Sequence, residues 1–145
     1  MNERIKGLYK TQILAHSKNP FQEGELEGAT HVLQAYNSMC GDKYTLYLKI
    51  ENDRVEDAYF KGYGCAISKA SSSILTKKSI GKSMEELDAL VRLFLKIVSA
   101  KEEVSPEDLT DEEELLAFSA AREFPEREIC ATMSWKVVQE ELLKE

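Results

Sequence analysis

The chain lacks any long apolar run. Nothing in its 145 residues approaches the ~20 consecutive apolar positions of a membrane-spanning helix, so no membrane partner is expected. It also lacks the apolar core of a secretion signal. Its start, "MNERIKGLYKTQILAHSKNP", carries charges throughout, and a cytoplasmic location is expected. Positive charge is scarce: a formal net charge of −7 argues against a nucleic-acid partner, because phosphate binding relies on clustered Lys and Arg. Paired cysteines are missing too. Cys40, Cys65 and Cys130 form an odd set with no close CxxC spacing, which in a reducing compartment excludes a disulfide framework. There are no internal repeats and no low-complexity tracts.

What is present is a globular composition, 43% hydrophobic and 31% charged. The length suits a single domain over residues 1–145, able to bury a core without disulfide staples. Acidity concentrates in "KEEVSPEDLTDEEE" (101–114), which reads as a solvated loop and helix start.

Ile5, Leu8, Tyr9, Ile13 and Leu14 recur at helical spacing, and a helix over 4–18 should stop before Asn19-Pro20, since residues preceding proline avoid the helical region. "FQEGELEGATH" reads as loop or short extended structure. In "KYTLYLKIEND", Tyr44, Leu46, Leu48 and Ile50 share one face; Asn52-Asp53 marks a turn, and "RVEDAYFKGYG" supplies the returning strand of a hairpin. A further strand over 32–36 completes a small sheet. Helical segments follow: "AISKASSSILTKKSI" after Cys65, "SMEELDALVRLFLKIVSA" opened by a Ser83–Glu86 capping box, "DEEELLAFSAARE" and "ATMSWKVVQEELLKE". Strands first and helices after give an α+β fold, a small antiparallel three-stranded sheet with helices packed on one face. Trp135 and Phe124 are expected as core anchors of the last helix.

Each cysteine sits at a junction. Cys40 ends a loop, with Gly41-Asp42 leading into a strand. Cys65 follows "KGYG", whose glycines leave the backbone open before a helix. Cys130 directly precedes the C-terminal helix. Thiols at helix N-termini have their thiolates favoured by the helix dipole. Three thiolates and one carboxylate, Cys40, Asp42, Cys65 and Cys130, make a four-coordinate set suited to zinc or to an iron–sulfur cluster. His16 and His31 are expected to be surface or packing residues outside this site.

"CGD", "GYGCAISKASSSIL" and "FPEREICATMSW", with "ILAHSKNP" near the start, resemble the SufU/IscU family of iron–sulfur cluster assembly proteins (NifU N-terminal-like). The resemblance implies that the three cysteines and Asp42 meet at one exposed end of the fold as metal ligands. The long interval between Cys65 and Cys130, and the absence of a Leu-Pro-Pro-Val-Lys motif, make the chain similar to the SufU-type branch. Ser38 stands where the family has proline, and Ile129 where SufU-like proteins carry lysine. Arg127 matches the arginine after the Phe-Pro pair, and its planar fork suits carboxylates on a partner.

The activity so implied is a zinc-dependent sulfur acceptor, not a stand-alone enzyme. Cys40 would take persulfide sulfur from a SufS-type cysteine desulfurase, with apo iron–sulfur proteins or a downstream SUF scaffold as recipients. The alternative is a scaffold on which a [2Fe–2S] cluster is assembled and then transferred, with the same four side chains holding iron. A third class is a purely structural zinc domain.

Overall fold

Asn52 and Asp53 take φ of 52° and 61°, the left-handed values that a two-residue turn matched to strand twist requires. Around that turn, in a computed structural model that describes residues 2–39 and 41–143, strands β2 (Asp42–Glu51) and β3 (Arg54–Tyr63) pair antiparallel. Strand β1 (His31–Asn37) adds antiparallel to the other side of β2, giving the order β1-β2-β3. This is the expected sheet, with β1 one residue longer at each end. Tyr44, Leu46 and Leu48 are buried, while Thr45, Tyr47 and Lys49 are only half-buried. Ile50 departs from the buried stripe because a bulge at Lys49/Ile50 shifts the register.

Helix α1 (Glu3–Lys18) begins at Asn2, whose side chain accepts from the Ile5 N–H, and ends at Asn19 before the proline. Helix α2 (Ala66–Ser79) lies against β3, and helix α6 (Pro125–Leu142) lies against β1. Between them, α3 (Met84–Val98) carries the Ser83–Glu86 capping box and buries the stripe Leu87, Leu90, Val91, Phe94, Ile97 and Val98. Trp135 is fully buried and stacks on Phe94 at 3.9 Å between centroids, joining α6 to α3.

Helix α2 is serine-rich yet largely buried, and this works because its hydroxyls find partners on neighbouring helices. Ser71 Oγ donates to the Ala131 carbonyl at 2.5 Å and accepts from Trp135 Nε1–H at 2.9 Å. Ser72 and Ser134 hydroxyls meet at 2.7 Å. Ser73 Oγ accepts from the Phe21 N–H and lies 2.8 Å from His16 Nδ1. The His16 Nε2 is 2.7 Å from Glu114 Oε2, so His16 is a packing residue that ties α1 to α2 and to the segment at 114. Lys77 and Lys78 also reach Glu114, at 2.9 and 3.3 Å. Burial alone would raise the Glu114 pKa, but the hydrogen bonds from Lys77, His16 and Lys78 outweigh it and hold the carboxyl at about 2.

Three expectations are corrected. The segment 111–123 is not one α-helix. After the one-turn helix α4 (Pro106–Leu109), α5 (Glu113–Leu116) tightens into a 3₁₀ helix (Ala117–Glu123). Every side chain from Leu115 to Ala121 is buried, so packing from all sides overrides helix propensity. The last helix starts at Pro125 rather than 131, with proline at its first position, where the missing N–H has no partner to lose. Phe124 is half-exposed just before that helix and is not a core anchor. Among the described residues, no helix is long and apolar enough to cross a membrane.

Candidate metal centre

Strand pleat places the first side chain. Asp42 opens β2 in the same parity as Tyr44, Leu46 and Leu48, so the alternation turns its carboxylate to the buried face, 4% exposed. Cys65 is the N-cap of α2, with extended backbone at φ −72° and ψ 168°. Its Sγ accepts from the Ser68 N–H at 3.5 Å, standing in for the hydroxyl or carboxylate usual at that position. Cys130 projects from α6. It lies in the second turn, because the helix begins at Pro125, so the dipole argument applies to Cys65 and not to Cys130.

One ligand-type atom from each of Asp42, Cys65 and Cys130 lies within 4.8 Å of the other two. Tetrahedral zinc with ~2.3 Å metal–sulfur bonds needs ligand atoms about 3.8 Å apart, so the triangle is within a small contraction of a coordination face. The donor set also fits chemically: a borderline-soft cation takes thiolate sulfur and carboxylate oxygen together. Asp42 Oδ2 is buried without a hydrogen-bond partner, an arrangement that a bound cation would satisfy.

Cys40, the fourth expected ligand, lies outside the described residues. On either side of it, Met39 is 87% exposed, and Gly41 takes φ +75° with its N–H donating to the Asn37 carbonyl. Arg127 is half-buried. Its guanidinium stacks 4.3 Å from the Phe124 ring centroid and 5.9 Å from that of Tyr9, so its cation is cradled by the protein's own aromatic faces.

The glycines before Cys65 do not leave the backbone open as expected; they let it be crowded. A Cβ on Gly64 would stand 2.6 Å from Ser68 Oγ, 2.7 Å from Tyr44 Oη and 2.8 Å from Asp42 Cγ. Tyr44 Oη and Ser68 Oγ are 3.0 Å apart. Burial pushes the Tyr44 phenol up to about 12; its hydrogen bond with Ser68 opposes this, while the charges of Asp42, Cys65 and Cys130 add to it. Burial likewise raises the Tyr9 phenol, against the opposing charge of Arg127. Sequence reasoning missed Tyr44, Ser68 and Gly64 as neighbours of the centre. Two signals could have found them: the parity Tyr44 shares with Asp42, and the three-residue step from a capping Cys65 to Ser68.

The chain matches the NifU-like N terminal domain family over residues 8–138, a span that takes in Asp42, Cys65 and Cys130. It belongs to that family. Within the NifU-like family it is 41% identical over 137 residues to the iron–sulfur cluster assembly scaffold protein IscU of Streptococcus pyogenes serotype M1, covering 94% of this chain and 84% of that one. It is 38% identical over 144 residues to the zinc-dependent sulfurtransferase SufU of Bacillus subtilis (strain 168), covering 99% and 95%. The crystal structure of a nitrogen-fixing NifU-like protein (N-terminal) from Brucella abortus superposes with a TM-score of 0.79 at 25% identity, covering 95% of this chain and 94% of that one. The three-stranded α+β architecture is therefore the family's.

Proposed function

We propose that the protein is a zinc-dependent sulfur acceptor of iron–sulfur cluster assembly, taking persulfide sulfur from a SufS-type cysteine desulfurase onto Cys40. The observation that carries this reading is the convergence of Cys65, Cys130 and a buried, unpartnered Asp42 carboxylate on one point. Cys40, two residues before Asp42 in the chain, completes a Cys₃Asp ligand set. Similarity to the zinc-dependent sulfurtransferase of Bacillus subtilis over nearly the whole chain supports it. A core shared by the sheet and α1, α2, α3 and α6 supports treating residues 1–145 as one unit. The absence of a membrane-spanning helix among the described residues is compatible with a cytoplasmic setting.

Zinc, when bound, would keep the thiols deprotonated and restrain their reactivity. The chain's own residues supply the rest. The Cys40 thiolate attacks the outer sulfur of the donor's Cys–S–S⁻. A new S–S bond forms as the donor's S–S bond breaks, and the donor cysteine leaves as thiolate with no net oxidation. Around the site, Met39, Tyr63, Tyr36 and Ile129 expose large apolar surface at positions flanking the ligands. This is the kind of patch by which a protein partner is held. With Ile129 in place of a lysine, apolar contact takes the role that local positive charge would have had. Arg127, stacked on Phe124, presents a rim donor for partner carboxylates.

The test has two readouts. Protein purified without oxygen should carry about one zinc per chain, lost on changing Cys40, Cys65 or Cys130 to Ser. Zinc-loaded protein should raise alanine release by the desulfurase, and Cys40→Ala should abolish that increase. Normal zinc in all three serine variants overturns the ligand assignment. Ready formation of a cluster on the zinc-loaded protein, with transfer to an apo-ferredoxin, would favour instead the scaffold role named for the Streptococcus pyogenes relative.

A further inference from the structure

We infer that Tyr44 and Ser68 are positioning residues, a buried hydrogen-bonded relay that touches the Cys65 sulfur and orients it as a metal ligand. The inference deepens the proposed function and rests on its reading of Cys65 as a ligand. Ser68 is fully buried, and its hydroxyl lies 3.0 Å from Tyr44 Oη, 3.1 Å from the Cys65 carbonyl and 3.6 Å from Cys65 Sγ. The Ser68 N–H already points at the same sulfur from 3.5 Å. Tyr44 is fully buried too, and Ser68 Oγ is the partner of its phenol.

The hydroxyl rotor of Ser68 has two satisfied settings. With a neutral thiol, the S–H faces Ser68 Oγ and the serine proton goes to the Cys65 carbonyl. With the sulfur engaged as a metal ligand, the serine O–H can turn to it, and the Tyr44 O–H donates into Ser68 Oγ behind it. Each donor polarises the next, so the thiolate receives a stronger bond than serine alone would give. The crowding around Gly64 has a purpose on this reading: a side chain there would occupy the space in which Tyr44, Ser68 and Asp42 meet. Partners of metal ligands one contact removed from the metal fix ligand orientation and basicity, and losing one typically lowers metal affinity about 10–100-fold.

The experiment uses cobalt(II) as a coloured stand-in for zinc, on the full chain, with zinc affinity measured in parallel by competition with a chromophoric chelator. Tyr44→Phe keeps the ring that packs against Phe60 and removes only the hydroxyl; Ser68→Ala removes the second member. Each should shift the thiolate-to-cobalt charge-transfer band to longer wavelength, because a less hydrogen-bonded thiolate gives up electron density more readily. Each should also weaken zinc binding about 10–100-fold, and the double variant should be no worse than Ser68→Ala alone. An unshifted band in Tyr44→Phe overturns the relay even if affinity falls, since a merely structural role lowers affinity and leaves the thiolate's electronics unchanged. If Ser68→Ala does not fold, the Tyr44→Phe band decides alone. Failure of the underlying reading looks different: the unmodified protein itself would show no thiolate–cobalt band, and the relay would fall with the metal site.

Discussion

Asp42→Asn should make the metal-free protein more stable while weakening its response to zinc. The Asp42 side chain is 4% exposed, and its Oδ2 is buried with no hydrogen-bond partner. A buried polar atom left unsatisfied costs about 1–3 kcal/mol, and more when charged. Two cysteine sulfurs lie within 4.8 Å of this carboxylate, so any thiolate character there adds repulsion. Asparagine keeps the volume, removes the charge and offers N–H donors to the sulfurs. A gain of about 1–3 kcal/mol should raise the melting temperature of a chain this size by roughly 3–10 °C. With zinc the effect is opposite in kind, because a cation that binds only the folded state stabilises by mass action, about 4 kcal/mol at a thousandfold excess over Kd. The asparagine variant has a poorer ligand, so its zinc-dependent increment must be smaller. The assay is urea unfolding under reducing conditions, with and without chelator, followed through the single tryptophan. A metal-free variant less stable than its parent would show that the Asp42 carboxylate is not a strained group. An equal zinc increment in both proteins would show that it is not a ligand.

The parts of this molecule that sequence reveals are those set by neighbours in the chain. Alternation fixed the hairpin, Ser83 and Glu86 announced α3, and Pro20 announced the end of α1. Even Asp42's burial follows from parity with Tyr44, once the alternation is extended two residues back. Pro125 is a legible helix start as well, since proline is favoured at a first helical position. What local pattern cannot carry is the distance between Cys65 and Cys130. That distance depends on how closely α2 approaches α6, which the serines set: small side chains at Ser71 and Ser72 let the helices close in, and their hydroxyls bond across to Ala131 and Ser134. In the sequence those serines look like a polar stretch of an indifferent helix. The His16–Glu114 contact spans 98 positions and has no local signature either. The ligand set therefore came from residue chemistry and family resemblance, and it needed tertiary packing to become a site.

Two further outcomes follow from the same packing. Gly64→Ala places a Cβ within 2.6–2.8 Å of Ser68, Tyr44 and Asp42, so those groups must move; stability should fall by about 1–3 kcal/mol and zinc affinity at least ~10-fold, with the far-ultraviolet circular dichroism unchanged. Undiminished zinc affinity would show that the centre tolerates displacement of its neighbours. Glu114→Gln probes the charge cluster behind α2. The folded-state pKa of about 2 lies below the ordinary value of 4.5, so the carboxylate contributes stability that is fully present above pH 4.5 and is lost as pH falls toward 2. Allowing for the partial exposure of Lys77, the contribution is about 2–3 kcal/mol. Parent and variant should thus differ most in urea unfolding near neutral pH, and the gap should close between pH 4.5 and 2. Glutamine can still accept from His16 and the lysines, so whatever gap survives at pH 2 measures shape and hydrogen bonding, and the part that closes measures charge. A gap constant across that range would mean that His16, Lys77 and Lys78 do not hold Glu114 ionised in the folded protein.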